Sequence, residues 1–222
     1  MSISNWLNKR RKRQRDQTLR RKQRMNYQKL YDYLAPVYAP AMRLLPVWLG
    51  YAQHALTWLP PAGDILEIGP GPGVLFSQLA ERYALTVGLD VSPRMLRYAQ
   101  RRLRHQALPD RLVEADAARL PFVNRAFDDV VLTFVFSAIP DGPGALREMH
   151  RILRPQGRLI LVDACYPDNG NLIARGLGHL WELFGDHLRD ESMLMRDAGF
   201  DLIERCEFGA FSSIRLTVGR KT

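Results

Sequence analysis

Six residues between positions 67 and 116 have types and spacing that could do chemistry together. Gly69, Gly71 and Gly73 alternate behind the short apolar run "DILEI", and Glu67 interrupts that run two residues before the first glycine. Asp90 closes the run "LTVGLD", and Asp116 follows "RLVEA". Glycine admits positive φ and lacks the Cβ that would keep a ligand away from the backbone. Amides at the start of a following helix favour a negative group on that ligand. A dinucleotide turn, G-x-G-x-x-G, needs glycine at position 74, where this chain has Val74. A carboxylate beside the turn repels a pyrophosphate but suits an ammonium or a sulfonium.

S-adenosylmethionine carries both of those cations, together with a carboxylate for the turn amides. At the end of a second strand, Asp90 can accept the two ribose hydroxyls. After a third strand, Asp116 can accept a hydrogen bond from the adenine amino group. Each acid alone reads equally well as a solvated loop residue, and it is their order at successive strand ends that makes a constellation.

These residues need a sheet to hold them. From Asp64 onward, apolar runs alternate with amphipathic segments: "DILEI", "LTVGLD", "RLVEAD", "FDDVVLTFVF", "GRLILVD", "FDLIERCEF" and "SSIRLTVG". The first five are short and apolar, as parallel strands covered on both faces must be. The spacing predicts helices over Val74–Tyr83, Pro93–Gln106, Gly144–Leu153, Leu172–Phe184 and Glu191–Ala198. Ser92-Pro93 is a helix start, and "LRPQG" reads as the stop of the helix over Gly144–Leu153. The expected fold is α/β: a doubly wound, Rossmann-like sheet of seven strands, mostly parallel, with ligands beyond the carboxyl ends. Three regions are expected, a basic arm over 1–25, a helical lid over 26–61 and the ligand-binding domain over 62–222.

The motifs "DILEIGPGPG", "VGLDVS", "EADAARLPF", "FDDVVLTFVFSAIPD" and "LREMHRILRPQGRLILVD" resemble, in order, those of the class I S-adenosylmethionine-dependent methyltransferases. The subgroup they look like contains the ubiquinone/menaquinone C-methyltransferases and bacterial phosphatidylethanolamine N-methyltransferases. The resemblance implies that Glu67, Gly69, Gly71 and Gly73 line the methionine end of S-adenosyl-L-methionine. It implies that Asp90, with Val91 beside it, holds the ribose, that Asp116 and Ala117 hold the adenine, and that Thr133 and Phe134 form the wall behind the sulfonium. "YDYLAPVY" resembles the subgroup's opening segment, with Ala39 where the family often has Asp, and makes Tyr31 and Tyr38 candidates for a catalytic lid or for plain packing aromatics. The family usually has "RPGG" where this chain has "RPQG".

Composition bounds the acceptor. Ten of the 32 basic residues and one of the 23 acidic residues lie between Asn8 and Arg24, so this arm carries the whole net charge of +9. Such an arm could track nucleic acid or lie on an anionic membrane. The fourth strand runs into "FVFSAIPD" rather than the N/D-P-P-Y/F of nucleic-acid amino methyltransferases, and the arm has little aromatic interleaving. Ile3, Trp6 and Leu7, and the Leu, Trp and Tyr of residues 44–59, favour the membrane interface. The expected protein is therefore cytoplasmic and peripheral on the inner face of the membrane, acting on a lipid or other small-molecule acceptor; a soluble small molecule or RNA is the alternative. The two cysteines argue against a disulfide framework, and no run of about 20 apolar residues predicts a spanning helix. Asp163, Tyr38, Tyr166, His179 and His187 are candidate bases, none in a recognisable acid–base pair, and no histidine spacing suggests a metal.

Overall fold

A computed structural model of the chain describes residues 46–183 and 186–222. The basic arm, Tyr31 and Tyr38 lie outside the described residues. The chain begins there with α1 (Pro46–Gln53) and a 3₁₀ turn (His54–Trp58), followed by β1 (Asp64–Ile68), α2 (Val74–Arg82), β2 (Leu85–Asp90), α3 (Pro93–His105) and β3 (Leu112–Glu114). Then come β4 (Phe127–Thr133), α4 (Gly142–Ile152), β5 (Leu153–Ala164), α5 (Leu172–Leu183), α6 (Glu191–Asp197), β6 (Phe200–Phe208), a second 3₁₀ turn (Ala210–Ser212) and β7 (Ile214–Lys221).

The seven strands form one sheet in the order β3-β2-β1-β4-β5-β7-β6. β1 to β5 are mutually parallel, and β7 runs antiparallel to both β5 and β6. Successive side chains of a strand face opposite ways, so a strand covered on both faces must be apolar throughout. β1 obeys this: Ile65 packs in one core with Val131, Ile160 and Val162, whereas Leu66 and Ile68 pack in the other with Val130, Leu132, Leu159 and Leu161. The first core is closed by α1, the 3₁₀ turn and α2, and the second by α4 and α6. Each fully buried aliphatic side chain contributes about 1.5–3 kcal/mol.

Helix starts follow local chemistry. Ser92 Oγ accepts from the Met95 amide at 3.2 Å with Pro93 in the first turn, and Asp141 and Asp190 cap α4 and α6 in the same manner. "LRPQG" differs from its expected role as a helix stop alone. α4 ends at Ile152 and β5 begins at once, with Leu153 opposite Phe127 and then a register shift that brings Arg158 opposite Asp129. Gln156 supplies the bend with φ of 67°.

The segment expected to dip into a membrane interface packs inward where it is described. Ala52, Ala55 and Leu59 are buried beside Val162, Leu216 and Val218, with Tyr51, Leu56 and Trp58 partly buried against them. The Tyr51 hydroxyl accepts from the Ala210 amide at 3.2 Å, and His54 stacks on Phe208 at 4.3 Å between ring centroids. α1 thereby fastens the β6–β7 hairpin to the sheet.

Candidate functional site

The sheet order reverses between β1 and β4, and the space beyond their carboxyl ends is where a doubly wound sheet takes its ligand. Register brings the sequence constellation to that edge. Ile68, the last residue of β1, is level with Leu89 on β2 and Leu132 on β4. Glu67, Asp90, Val91, Thr133 and Phe134 therefore stand within one or two residues of the same line. Ala115 N donates to the Asp90 carbonyl at 3.1 Å, which brings Asp116 and the buried Ala117 round to the same side.

The glycines have three different reasons for lacking a side chain. All have positive φ, of 70°, 52° and 76° for Gly69, Gly71 and Gly73. A Cβ on Gly69 would overlap the Val135 side chain, and one on Gly73 would come 2.9 Å from Ala99 Cβ in α3. A Cβ on Gly71 would meet nothing within 4 Å. Two of the glycines permit close packing, of the loop after β4 and of α3, and one faces open space at the turn.

Glu67 is 1% exposed, and its Oε2 has no hydrogen-bond partner among the described residues. Burial, and secondarily the charge of Asp90, push its carboxyl up to about 8. An acid kept dry and unpaired costs several kcal/mol unless something cationic meets it. Asp90 is held in place by two backbone amides: Oδ1 accepts from Ser92 N at 2.9 Å and Oδ2 from Gly71 N at 3.2 Å. These two amides orient the carboxylate at the end of β2, where a ribose is expected. Asp116 Oδ1 accepts from the Ala118 amide at 2.9 Å, which fixes that carboxylate too. Phe134, the first residue after β4, has φ of 56°, its amide donating to Val162 O at 2.7 Å, a strained backbone at the floor of the site. An unpaired buried acid for an ammonium, an open glycine turn and an oriented ribose acceptor fit S-adenosyl-L-methionine.

The candidate bases scatter. Asp163, next to last in β5, is buried and accepts from Ser137 N at 2.8 Å, Ser137 Oγ at 3.0 Å and Ala164 N at 2.8 Å. Burial raises its carboxyl nonetheless. Tyr166 shares a hydrogen bond of 3.0 Å with His179 Nδ1, and its hydroxyl is pushed up to about 12 by burial and by Glu182. His187 is held below its ordinary value, first by burial and then by Arg189. Cys165 is buried and pushed up to about 12, again by burial first, so its thiol is inert at neutral pH. Asp186 escaped sequence reasoning altogether. It lies between α5 and α6 in "GDHLRD", where no motif or spacing distinguishes it.

Comparison with known proteins points to the same cofactor. Residues 66–161 match the family described as Methyltransferase domain. The chain is 41% identical over 108 residues to the demethylmenaquinone methyltransferase of Thermus thermophilus, covering 48% of this chain and 49% of the relative. It is 31% identical over 153 residues to the 2-phytyl-1,4-naphtoquinone methyltransferase of Nostoc, covering 63% and 65%. The chain thus spans about half to two thirds of the length of these curated relatives. Among solved structures, an S-adenosylmethionine-dependent methyltransferase of Thermotoga maritima shares the fold with a TM-score of 0.70 at 20% identity, over 87% of this chain and 99% of that one. The methyltransferase solved with the Trm112 activator of Haloferax volcanii does so with a TM-score of 0.70 at 23% identity, over 86% and 96%. Residues 66–161 thus carry a methyltransferase domain, and the chain resembles the class I S-adenosylmethionine-dependent methyltransferases of the quinone subgroup.

Proposed function

We propose that the protein transfers the methyl group of S-adenosyl-L-methionine to a membrane-associated small molecule, the reduced ring of an isoprenoid quinone precursor. The observation that carries the transferase reading is Glu67, a buried acid with an unpaired oxygen at the glycine turn, poised for the cofactor's ammonium. The named activities of the Thermus and Nostoc relatives support a naphthoquinone-type acceptor. Bound cofactor supplies an activated methyl on a sulfonium. Glu67 takes the ammonium of its amino-acid end, Asp90 and Val91 the ribose, Asp116 and Ala117 the adenine; the glycine amides, expected to meet the carboxylate, instead donate to Leu89 O, Asp90 Oδ2 and Pro70 O, so the turn offers open space rather than donors. Thr133 and Phe134 back the sulfur. Transfer is an in-line displacement, so the work of these residues is alignment and exclusion of water.

Two features support a membrane location for the acceptor. The first is the arm with its net charge of +9. The second is exposed apolar surface: Leu172 and Ile173 at the start of α5 are 81% and 57% exposed, and Phe211 on the neighbouring 3₁₀ turn is 48% exposed. No helix among the described residues is long and apolar enough to cross a membrane.

The test supplies labelled cofactor with, separately, a dithionite-reduced prenylated naphthoquinone lacking the ring methyl, vesicles containing phosphatidylethanolamine, and bulk RNA. Label in the quinol with a mass gain of one methyl group is the expected result. Label in phosphatidylethanolamine would move the acceptor to a head-group amine, and label in RNA would favour a nucleic-acid role for the arm.

A further inference from the structure

The loop after β4 joins two places that the sheet keeps apart. On one side Val135 packs on Gly69 of the cofactor turn. On the other, the Ser137 carbonyl accepts from the His187 amide at 2.7 Å, while the amide and hydroxyl of Ser137 are held by Asp163. The guanidinium of Arg189 donates to Ile139 O at 2.8 Å and to Pro140 O at 3.1 Å, fixing the next turn of the same segment. Residues 187 and 189 are thus clamped to the β4 loop, and Asp186 stands just before the clamp.

Asp186 differs from the other acids at this edge. Asp163 has its oxygens occupied by three fixed donors from Ser137 and Ala164. Glu67 is directed to the cofactor turn, and Tyr166 is tied to His179. Asp186 is half-buried, with no hydrogen-bond donor or cation on it among the described residues. The charged groups around it are Asp163 near the end of β5, His187 and Arg189 on its own segment, and Glu182 from α5 facing His187. Burial, with the charge of Asp163 second, pushes its carboxyl up to about 6. A carboxylate with no fixed donor among the described residues, held beside the loop after β4, will accept a proton from a donor that comes within hydrogen-bond reach.

We propose that Asp186 is the catalytic base that takes the hydroxyl proton of the acceptor during methyl transfer. The assignment rests on the quinol reading above. The acceptor's O–H proton passes to the carboxylate, and the electron pair left on oxygen is delocalised to the adjacent ring carbon. That carbon bonds to the methyl as the methyl–sulfur bond breaks, its electron pair remaining on sulfur. The ring carbon then loses its own hydrogen as a proton to solvent, and Asp186 returns its proton to the oxygen. One proton is released overall, and no oxidant or reductant is consumed.

The test measures kcat/KM on the reduced prenylated naphthoquinone from pH 5 to 8 for wild type, Asp186→Asn and Asp186→Glu. Cofactor affinity and melting temperature are measured alongside. A second readout needs no turnover: calorimetric binding of 4-methoxy-1-naphthol, a redox-stable analogue with one hydroxyl, in the presence of S-adenosylhomocysteine. Wild type should lose kcat/KM below about pH 6 and bind the naphthol more weakly there, because a protonated carboxyl is a poorer acceptor. Asp186→Asn should lower kcat/KM by about 100-fold or more, abolish the acid limb in naphthol binding and leave cofactor affinity within twofold; Asp186→Glu should restore part of the rate. Near-normal turnover in a folded Asp186→Asn protein overturns the proposal. So does a wild-type profile with no acid limb, which decides the matter if the Asn variant does not fold. Wild type that leaves the quinol unmethylated overturns the acceptor reading instead, and this assignment falls with it.

Discussion

Glu67 is the residue on which the proposed cofactor binding and protonation meet. Its unfolded value is 4.5 and its folded value about 8, because burial disfavours the charged form and Asp90 adds to the effect. Between those values the native state holds a proton that the unfolded chain lacks. The stability this group contributes is therefore fully present below pH 4.5 and is lost as pH rises toward 8, by about 1.4 kcal/mol per pH unit in that window. A cofactor ammonium reverses the preference, since an opposite charge nearby favours the carboxylate. Binding below pH 8 should then release a proton, and affinity should tighten by up to about tenfold per pH unit between 6 and 8. Glu67→Gln should flatten that dependence. Asp186 and Glu191, pushed up to about 6 and about 7, add to the stability slope, so comparing wild type with Glu67→Gln isolates this one acid. Calorimetry in buffers of different ionisation enthalpy measures the proton count directly. A pH-independent affinity in wild type would remove Glu67 from the cofactor site. The sequence showed this acid and its place before the glycines, but not that it is unpaired, because pairing depends on β2 and β4 as well as on β1.

At the scale of the element, the turn between β1 and α2 separates packing from binding. Gly69 admits no Cβ because Val135 fills the space, and its φ of 70° is costly for any other residue. Gly69→Ala should destabilise the fold by roughly 2–4 kcal/mol, the sum of overpacking and a left-handed backbone. Gly71→Ala meets no neighbour within 4 Å and should cost only about 1 kcal/mol of stability, yet weaken the cofactor more than tenfold by occupying the open side of the turn. Thermal melts and cofactor titration of the two variants separate these outcomes. Wild-type affinity in Gly71→Ala would show that the ligand does not approach the turn there. The spacing of the glycines was visible from the start, whereas the reasons for each were hidden. Val135 is far along the chain, on a loop whose position is set by β4. The strands were legible because both faces of the sheet need apolar residues, which leaves a continuous run in the sequence. Gln156 was legible as a turn residue but not as a left-handed bend inside β5, since its side chain carries no signal for that conformation. Asp186 was illegible for a related reason: it stands at the edge only because Ser137 and the carbonyls of Ile139 and Pro140 hold its neighbours.

For the whole molecule, the proposed membrane acceptor raises the question of how a domain whose apolar side chains are largely buried would reach it. The net charge of +9 resides in one N-terminal stretch, so the remainder of the chain has no net electrostatic pull toward an anionic surface. Each basic side chain near such a surface contributes about 1 kcal/mol, and the effect extends only about 10 Å at 0.1 M salt. Charge can bring the protein to the membrane; apolar contact must then hold it at the interface. Residues 51–59 are unsuited to that contact because their apolar side chains pack against the sheet; among the described residues, Leu172, Ile173 and Phe211 are exposed and lie on neighbouring elements. The two contributions differ in their response to salt. Flotation with vesicles rich in anionic lipid should be strong at low salt and fall as salt rises, and removal of residues 1–25 should abolish the salt-sensitive part. Leu172→Glu with Ile173→Glu should weaken what persists at high salt, and both variants should keep wild-type cofactor affinity. Equal flotation of the arm-deleted and intact proteins at low salt would assign the arm to another partner. Salt-steep binding to RNA by the intact protein alone would identify that partner as nucleic acid, since release of counterions from phosphates has the same dependence on the arm.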